Sequence, residues 1–414
     1  MRRFFFILVA AAWAAVGVRA QTALDWQQVQ ARFQAANPAV REGLLNISES
    51  KAAEITAYLR PNPNLTTSID QLTPFTFHPY QPISGVFPAI IVDYLHERAH
   101  KRELRLESAQ QATSIAVSQQ NDLVRTLLFG LRSAFVQTLQ AKAVLALARD
   151  NLEYFDRELA ISRDRLRAGD IAPLDLNRIA LQRVQYESDL QTALVNMRTA
   201  KIMLLELLDD RTLVDRFDVT GAFDFSDRLQ PLEAVRAEAV DARPDLRAAL
   251  ETVDKAKTDH RLAVANGSTD PTFAVDAARN PPYSAYIGFS VNIPLRIFDR
   301  NQGEKLRTQI DIAHAERARD LTTAQVYGDV DSAYVTLAST IELLKPYRDT
   351  YLKMAKDVRD TMEFSYQRGQ AALVDYLDAQ RDYRATYVTY LNLVGSYLTA
   401  AGQLNLAVGR EVIQ

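Results

Sequence analysis

The second half of this chain repeats the helix stops and breaks of the first half in the same order. Gly169 ends one long helical pattern and Gly369 ends another, and each opens a Gly-x5-Asp motif that closes at Asp175 or Asp375. Other landmarks recur in the same order: Asn37-Pro38 as Arg243-Pro244, Asn62-Pro63 as Asp270-Pro271, and the Pro-led strand end at 88–93 as 294–299. Such a recurrence indicates an internal duplication, which constrains the fold more than any single motif.

The N-terminus has the layout of a secretory signal peptide. Arg2 and Arg3 precede a short apolar run, and Val18-Arg19-Ala20 offers small residues for cleavage. A membrane anchor is the alternative, but the run is short for a span. The predicted organisation is a signal peptide at 1–20, a first repeat at 21–208 (strands near 64–72 and 84–93, tip near 167–175), a linker at 209–230, and a second repeat at 231–414 (strands near 271–279 and 284–297, tip near 366–378).

Helical patterns dominate both repeats. No proline occurs between Pro88 and Pro173, and the segment from about Tyr94 to Arg167 has apolar residues spaced three and four apart. A helix of that length would extend roughly 100 Å. So long a pattern indicates a coiled coil or a helical barrel. The predicted fold class is mainly α with a small β part, built from two long helical hairpins that each carry a β-hairpin.

The predicted strands alternate apolar with small or polar residues, most clearly at 287–293 and at Phe273, Val275 and Ala277. This pattern fits an ordinary sheet with one wet side, and it also fits a barrel with lipid outside and water inside. Two hairpins make a poor independent sheet, and sheet edges in a bilayer must be closed. Three chains contributing four strands each would form a twelve-stranded barrel wide enough for a channel.

The composition excludes several classes of function. The chain has 48 basic and 51 acidic side chains in 414 residues and a net charge of -3, which predicts no basic surface for nucleic acid. It has no cysteine, so disulfides, thiolate metal sites and a thiol nucleophile are excluded. With five His and five Met there is little material for metal chemistry, and we expect no cofactor.

One motif matches a catalytic signature. His96-Glu97-Arg98-Ala99-His100 reads H-E-x-x-H, which on a helix would place both imidazoles on one face to bind zinc, with Glu97 as the base. The surroundings are highly charged, and the extended motif with its Gly and third His is missing. A solvated strand-to-helix junction is the preferred interpretation, and a zinc metallopeptidase is a remote alternative.

Tyrosines recur at heptad spacing along the last helical pattern, at Tyr376, Tyr383, Tyr390 and Tyr397. This spacing favours packing positions between neighbouring helices. An aromatic ladder along the wall of a channel is the alternative.

With these features in this order, the chain resembles the TolC-type outer-membrane efflux proteins. The resemblance covers essentially the whole mature chain. It depends on the duplicated arrangement of helices and hairpins, Arg243-Pro244-Asp245-Leu246, the Pro-x-x-hydrophobic-Phe-Asp strand end at 294–299, and the two Gly-x5-Asp tips. It implies a homotrimer with a twelve-stranded barrel in the outer membrane and a long helical tunnel in the periplasm.

The resemblance also implies a gate at the periplasmic end of the tunnel. The family's Val-Asp-x-Leu-Asp-Ala run is present at 374–379, so Asp375 and Asp378 correspond to two acidic rings at the constriction. Tyr366 and Asp175 match a pair whose hydrogen bond helps to hold the closed state. A family arginine that should also fasten the gate is replaced by Ala371, and its partner position on the first tip is Leu174.

The implied partners are other copies of the chain, outer-membrane lipid, a periplasmic adaptor protein and an inner-membrane pump of the RND, ABC or MFS type. The adaptor would dock on the two tips, whose predicted contact residues are Arg167, Gly169, Leu174, Arg368, Gly369 and Leu373. The function expected from the resemblance is that of a passive exit duct, not an enzyme. A periplasmic coiled-coil adaptor is the alternative, although adaptors have one helical hairpin and a β-rich remainder.

Overall fold

The computed structural model describes residues 23–70, 73–77, 80–84, 87–279 and 284–413, so the predicted signal peptide lies outside the described residues. The helices are α1 (Trp26–Ala36), α2 (Pro38–Tyr58), α3 (Lys101–Ala168), α4 (Pro173–Leu207), α5 (Leu232–Ala242), α6 (Pro244–Asn266), α7 (Gln302–Pro346), α8 (Leu352–Gln367) and α9 (Leu373–Val408). The strands are β1 (Asn64–Asp70), β2 (Thr73–Phe77), β3 (Tyr80–Ser84), β4 (Phe87–Leu95), β5 (Thr272–Ala278) and β6 (Tyr286–Asn292). Among these helices none is both long and apolar enough to cross a membrane.

Prolines mark where several of the helices begin. Pro38, Pro173 and Pro244 each occupy the first turn of a helix, where a missing N–H is tolerated because it would have no intrahelical partner. The side chain of Asn37 caps α2 by accepting hydrogen bonds from the backbone N–H groups of Ala39 and Val40 at 3.0 and 3.3 Å. The breaks expected at 37–38 and 243–244 are therefore true helix boundaries.

A π-turn at Tyr347–Tyr351 separates α7 from α8 directly after Pro346. Proline has no N–H to donate to the preceding turn, so a helix that continues past it must loosen its hydrogen bonding. Apart from this interruption and from β2 and β3, which are inserted between β1 and β4, the two halves of the chain have the same order of elements. Each has two helices, two strands, a long helical run, a glycine turn and a final helix.

Four strands form one antiparallel sheet in the order β1-β4-β5-β6, and β2 pairs with β3 in a separate two-stranded ribbon. The sequence predicted strands near 64–72 and 84–93 and no ribbon between them, so β2 and β3 are an addition to the expected strands. The strand predicted at 284–297 is also shorter than expected. It ends at Asn292, which pairs with Thr272, the first residue of β5, so that 293–297 has no partner strand. Pro294 then prevents further pairing because it lacks an N–H.

The described residues form two compact units. The first contains the residues up to Ala36 together with Leu131–Phe225 and Pro346–Gly395, and the second contains Asn37–Gly130, Ser226–Lys345 and the chain from Ser396 onward. The sheet belongs to the second unit. Both glycine turns belong to the first unit, where buried side chains of α3, α4, α8 and α9 pack together: Leu159, Ile179, Tyr366, Leu373 and Tyr376.

Candidate functional site

The two tips have the same backbone hydrogen bonding. Gly169 and Gly369 adopt the left-handed conformation with φ of 86° and 73°. At the first tip the N–H of Gly169 donates to Leu166 O and the N–H of Asp170 donates to Arg165 O, at 3.1 and 2.9 Å. The second tip repeats the pattern from Gly369 and Gln370 at 3.0 and 2.8 Å. Both turns are thus Schellman motifs, which require a residue free of strain at positive φ.

The two aspartates of the predicted constriction lie on the first turns of α9. Both side chains are exposed, and Asp378 is 53% exposed beside Arg381, with 3.3 Å between its Oδ1 and Nη2 of the arginine. Asp375 lies in the first turn, where the positive end of the helix dipole favours a carboxylate. The structure therefore presents both carboxylates to solvent near the second tip, as a ring of charges would require.

Five of the six predicted docking residues are exposed, and one is not. Leu174 is 60% exposed, and Arg167, Gly169, Arg368 and Gly369 are exposed as well. Leu373 is only 6% exposed and packs in the buried cluster of the tip. Its apolar side chain turns inward because α9 begins there and must cover α3 and α4, so Leu373 is a core residue instead of a docking contact.

Tyr366 does not make the hydrogen bond to Asp175 that the resemblance implied. Its hydroxyl is buried and has no hydrogen-bond partner among the described residues. Its ring instead stacks on Tyr376, with 5.1 Å between the centroids and 7° between the planes, and the Arg165 guanidinium lies 5.2 Å from its centroid. Burial raises the pKa of the Tyr366 hydroxyl, so this group is a neutral donor without an acceptor in the described ranges.

A polar cluster that sequence analysis did not find lies just behind the second tip. The hydroxyls of Tyr154 on α3 and Tyr376 on α9 are 2.8 Å apart, and Gln380 Nε2 donates to the Tyr154 hydroxyl at 2.8 Å. Glu158, one turn along α3 from Tyr154, is buried. Burial raises the pKa of Glu158, and the nearby negative charge of Glu363 on α8 raises it further. In the sequence, the helical spacing of Tyr154 and Glu158, and that of Tyr376 and Gln380, indicates only that each pair shares a helix face. This spacing does not show which residues of the two helices contact each other.

The H-E-x-x-H segment does not form a helix. Tyr94 and Leu95 extend β4, α3 starts only at Lys101, and His100 lies at the left-handed φ of 56°. The carboxylate of Glu97 is held by Arg105 through two hydrogen bonds of 2.5 and 2.8 Å. The two imidazoles therefore share no helix face and Glu97 is committed to a salt bridge. In the described ranges no group of three or more His, Cys, Asp or Glu side chains could hold a metal ion.

The four-stranded sheet has two chemically different faces. The strand registers place exposed apolar side chains on one face: Leu65, Ile69, Ile90, Val92, Phe273, Val275, Ile287, Phe289 and Val291. The opposite face carries small and polar residues that include Thr66, Asp93, Asp276 and Ser290. A sheet with its apolar face exposed needs an apolar environment on that side and water on the other.

Comparisons with known proteins agree with this geometry. Residues 235–410 match the family model described as outer membrane efflux protein. The cobalt-zinc-cadmium resistance protein CzcC of Cupriavidus metallidurans is 25% identical over 326 residues, 76% of this chain and 75% of the relative. The outer membrane protein TolC of Escherichia coli is 23% identical over 286 residues, 62% of this chain and 55% of that protein.

Solved structures have the same fold. Crystal structures of CusC, described in terms of folding and transmembrane channel formation, superpose with a TM-score of 0.76 at 16% identity, over 93% of this chain and 92% of theirs. The open state of the Neisseria gonorrhoeae MtrE outer membrane channel gives 0.73 at 15% identity, over 93% and 89%. The mainly helical fold with a small sheet is therefore shared with these outer-membrane channels.

Proposed function

The chain belongs to the TolC-type family of outer membrane efflux proteins, which are transport channels of the outer membrane and not enzymes, and from this premise we propose that it is the exit duct of a tripartite export system. Molecules would enter the duct at its periplasmic end from an inner-membrane pump. An adaptor protein would join the two. The duct would work passively, with the pump driving transport.

The observation that carries this proposal is the sheet with one exposed apolar face. β1 and β6 lie at its two edges, and their outer backbone groups have no strand partner in the part of the chain that the structure describes. In a bilayer each unpaired backbone group costs several kcal/mol, so these edges must be joined to other strands. Three copies of the sheet would close into a twelve-stranded barrel with lipid against the apolar face and water inside.

We propose that the second tip forms the gate of this duct. In a threefold assembly, Asp375 and Asp378 would give two rings of three carboxylates around the axis. Rings of carboxylates attract cations and disfavour anions. The exposed tip residues Arg167, Leu174 and Arg368 would offer the adaptor its contacts at the same end.

Reconstitution of the purified protein in a planar bilayer tests the proposal. We expect trimers that conduct ions, prefer cations and are blocked by divalent cations from the side of the tips. Asp375→Asn combined with Asp378→Asn should move the permeability ratio toward equality and weaken the block, because the fixed negative charge is removed. Asp164→Asn, an exposed aspartate of the first tip paired with Arg167, is the matched control and should leave both unchanged.

Two results would contradict the proposal at different levels. A protein that fractionates away from the outer membrane, or forms no conducting trimer, would refute the duct itself and favour a periplasmic adaptor. A conducting trimer whose cation preference and block survive the double substitution would keep the duct and refute the assignment of the gate.

A further inference from the structure

Neither of the two links that the family resemblance implies for a closed gate is present in the described part of this chain. Ala371 occupies the position of the expected arginine and has no side-chain donor. The Tyr366 hydroxyl has no hydrogen-bond partner among the described residues, Asp175 included. Something else must hold the beginning of α9 against its neighbours if the gate has a stable closed state.

Tyr376 is positioned to hold the beginning of α9 against its neighbouring helices. It lies between Asp375 and Leu377 at the start of α9, and its side chain is 0% exposed. The hydroxyl contacts Tyr154 of α3 at 2.8 Å while the ring stacks in parallel on Tyr366 of α8. One side chain thus connects α9 to two other helices directly beside the proposed constriction.

Gln380 completes the connection one turn further along α9. Its buried amide donates to the same Tyr154 hydroxyl at 2.8 Å, so two successive turns of α9 hold one group of α3. Separating α9 from α3 would break both hydrogen bonds of the Tyr154 hydroxyl, the one with Tyr376 and the one with Gln380. The free-energy cost of breaking these hydrogen bonds is largest where the freed groups stay away from water. Movement of α9 away from α3 must therefore include the breaking of this contact as a distinct step.

We propose that Tyr154, Tyr376 and Gln380 form a latch that holds the tip of α9 against α3 and keeps the gate closed. This inference depends on the proposed function, because a latch needs a gate to act on. Opening moves the start of α9, with Asp375 and Asp378, away from α3 and breaks the hydroxyl contact. The latch lies within one chain, so each of the three copies carries its own.

Packing alone would account for a buried tyrosine at this heptad position, so the test must remove the hydroxyl and keep the ring. Tyr376→Phe and Tyr154→Phe do this. Tyr387→Phe on the same helix is the matched control, because it makes the same change outside the latch. We expect either latch variant to raise the channel's open probability by about fivefold or more, because Tyr376→Phe removes the bond between the two hydroxyls and Tyr154→Phe removes that bond and the one from Gln380. The double variant should add less than the sum of the two, because both remove the same bond.

A second measurement separates the failure of the latch from the failure of the duct. Hydrogen exchange of the amides in 373–380, measured on the intact protein in detergent, reports the opening of this segment without requiring conduction. Faster exchange in Tyr376→Phe than in Tyr387→Phe supports the latch. Equal exchange, together with equal open probability in a wild-type protein that conducts, overturns the latch and leaves the duct standing. A wild type that does not conduct overturns the duct, whatever the exchange shows.

Discussion

Replacing Arg243 should loosen the joint between α6, α7 and the end of α9. The Arg243 side chain is buried, and its Nε and Nη2 donate to the two carboxylate oxygens of Asp245 at 2.9 and 2.5 Å. Its Nη1 donates to Asp329 of α7 at 2.8 Å and to the carbonyl oxygen of Ala407 at 3.2 Å. One guanidinium therefore serves three acceptors on three helices, and Arg243→Met removes all four bonds while keeping the apolar stem.

The size of the effect follows from how well each acceptor can return to water. Asp245 is 24% exposed and would keep a poorly solvated charge, and the Ala407 carbonyl would lose a partner in a buried place. Asp329 is 53% exposed and can be rehydrated, so losing its bond to Arg243 contributes less to the cost of the substitution. Removing one member of a buried pair costs about 3–5 kcal/mol. We therefore expect the lower part of that range, about 3 kcal/mol, in the free energy of local opening.

Arg247→Met is the control. Arg247 lies four residues further along the chain, within α6, is 75% exposed, and pairs with Glu251 at 3.2 Å. An exposed pair of this kind contributes about 0.3–0.5 kcal/mol. Hydrogen exchange of the intact protein, read at the amides of 246–250 and 404–408, compares the two variants at the sites where Arg243 makes its bonds.

The pH dependence gives an independent check. Burial alone would raise the pKa of the Asp245 carboxyl, but the hydrogen bonds and charge of Arg243 outweigh it and the pKa is lowered. The stabilisation is therefore complete above the pKa of the unfolded chain and is lost as the pH falls through the lowered value. Arg243→Met should abolish this decrease in hydrogen-exchange protection at low pH. Equal costs for Arg243→Met and Arg247→Met, or an unchanged acid profile, would refute the reasoning.

Two further predictions concern the tips. Burial and the charge of Glu363 raise the pKa of Glu158, so the folded tip binds this proton more tightly than the unfolded chain, and its stability should be greatest below the unfolded pKa and fall as the pH rises through the raised value. Glu158→Gln should remove this fall in the exchange protection of the tip, and a variant that keeps the wild-type profile would contradict the assignment. Gly169→Ala and Gly369→Ala should each cost about 1–2 kcal/mol, because both positions have positive φ and no neighbour within reach of a Cβ, so strain is the whole effect. Gly328→Ala inside α7 should instead add about 0.5–1 kcal/mol in the same unfolding measurement, and tip variants as stable as this control would disprove the strain.

The features predicted well from the sequence are those that local chemistry determines. Gly169 and Gly369 were expected to stop helices, and the Schellman bonds at both turns confirm it, because positive φ and helix termination are properties of a few consecutive residues. The TolC-type family was recognised from the order of such landmarks, and the family match confirms it. The division into repeats at the stated boundaries, the trimer and the gate stay predictions.

The features missed are those that depend on contacts between distant residues. The helix expected from Tyr94 starts at Lys101 because pairing of β4 with β5 extends the strand to Leu95. Leu373 was taken as a surface contact, and only the packing of four helices shows that it is buried. Tyr376 was expected to pack, but its partner Tyr154 lies more than half the chain away. Helical periodicity predicts which residues share a face of one helix, but it does not identify the residues of another helix that contact this face.

The pairing of β4 with β5 has a consequence for how the chain is made. β4 and β5 come from opposite halves of the sequence, so the centre of the sheet cannot form until the second half has been synthesised and exported. Until then β4 has only β1 beside it, with an open edge and an apolar face, which is the state in which strands bind wrong partners. Loop closure over so long a segment is slow, so assembly of the sheet should follow the packing of the helices. The chain should therefore pass through a period after export in which the β4 edge is open, and this edge should be the site where mispairing begins.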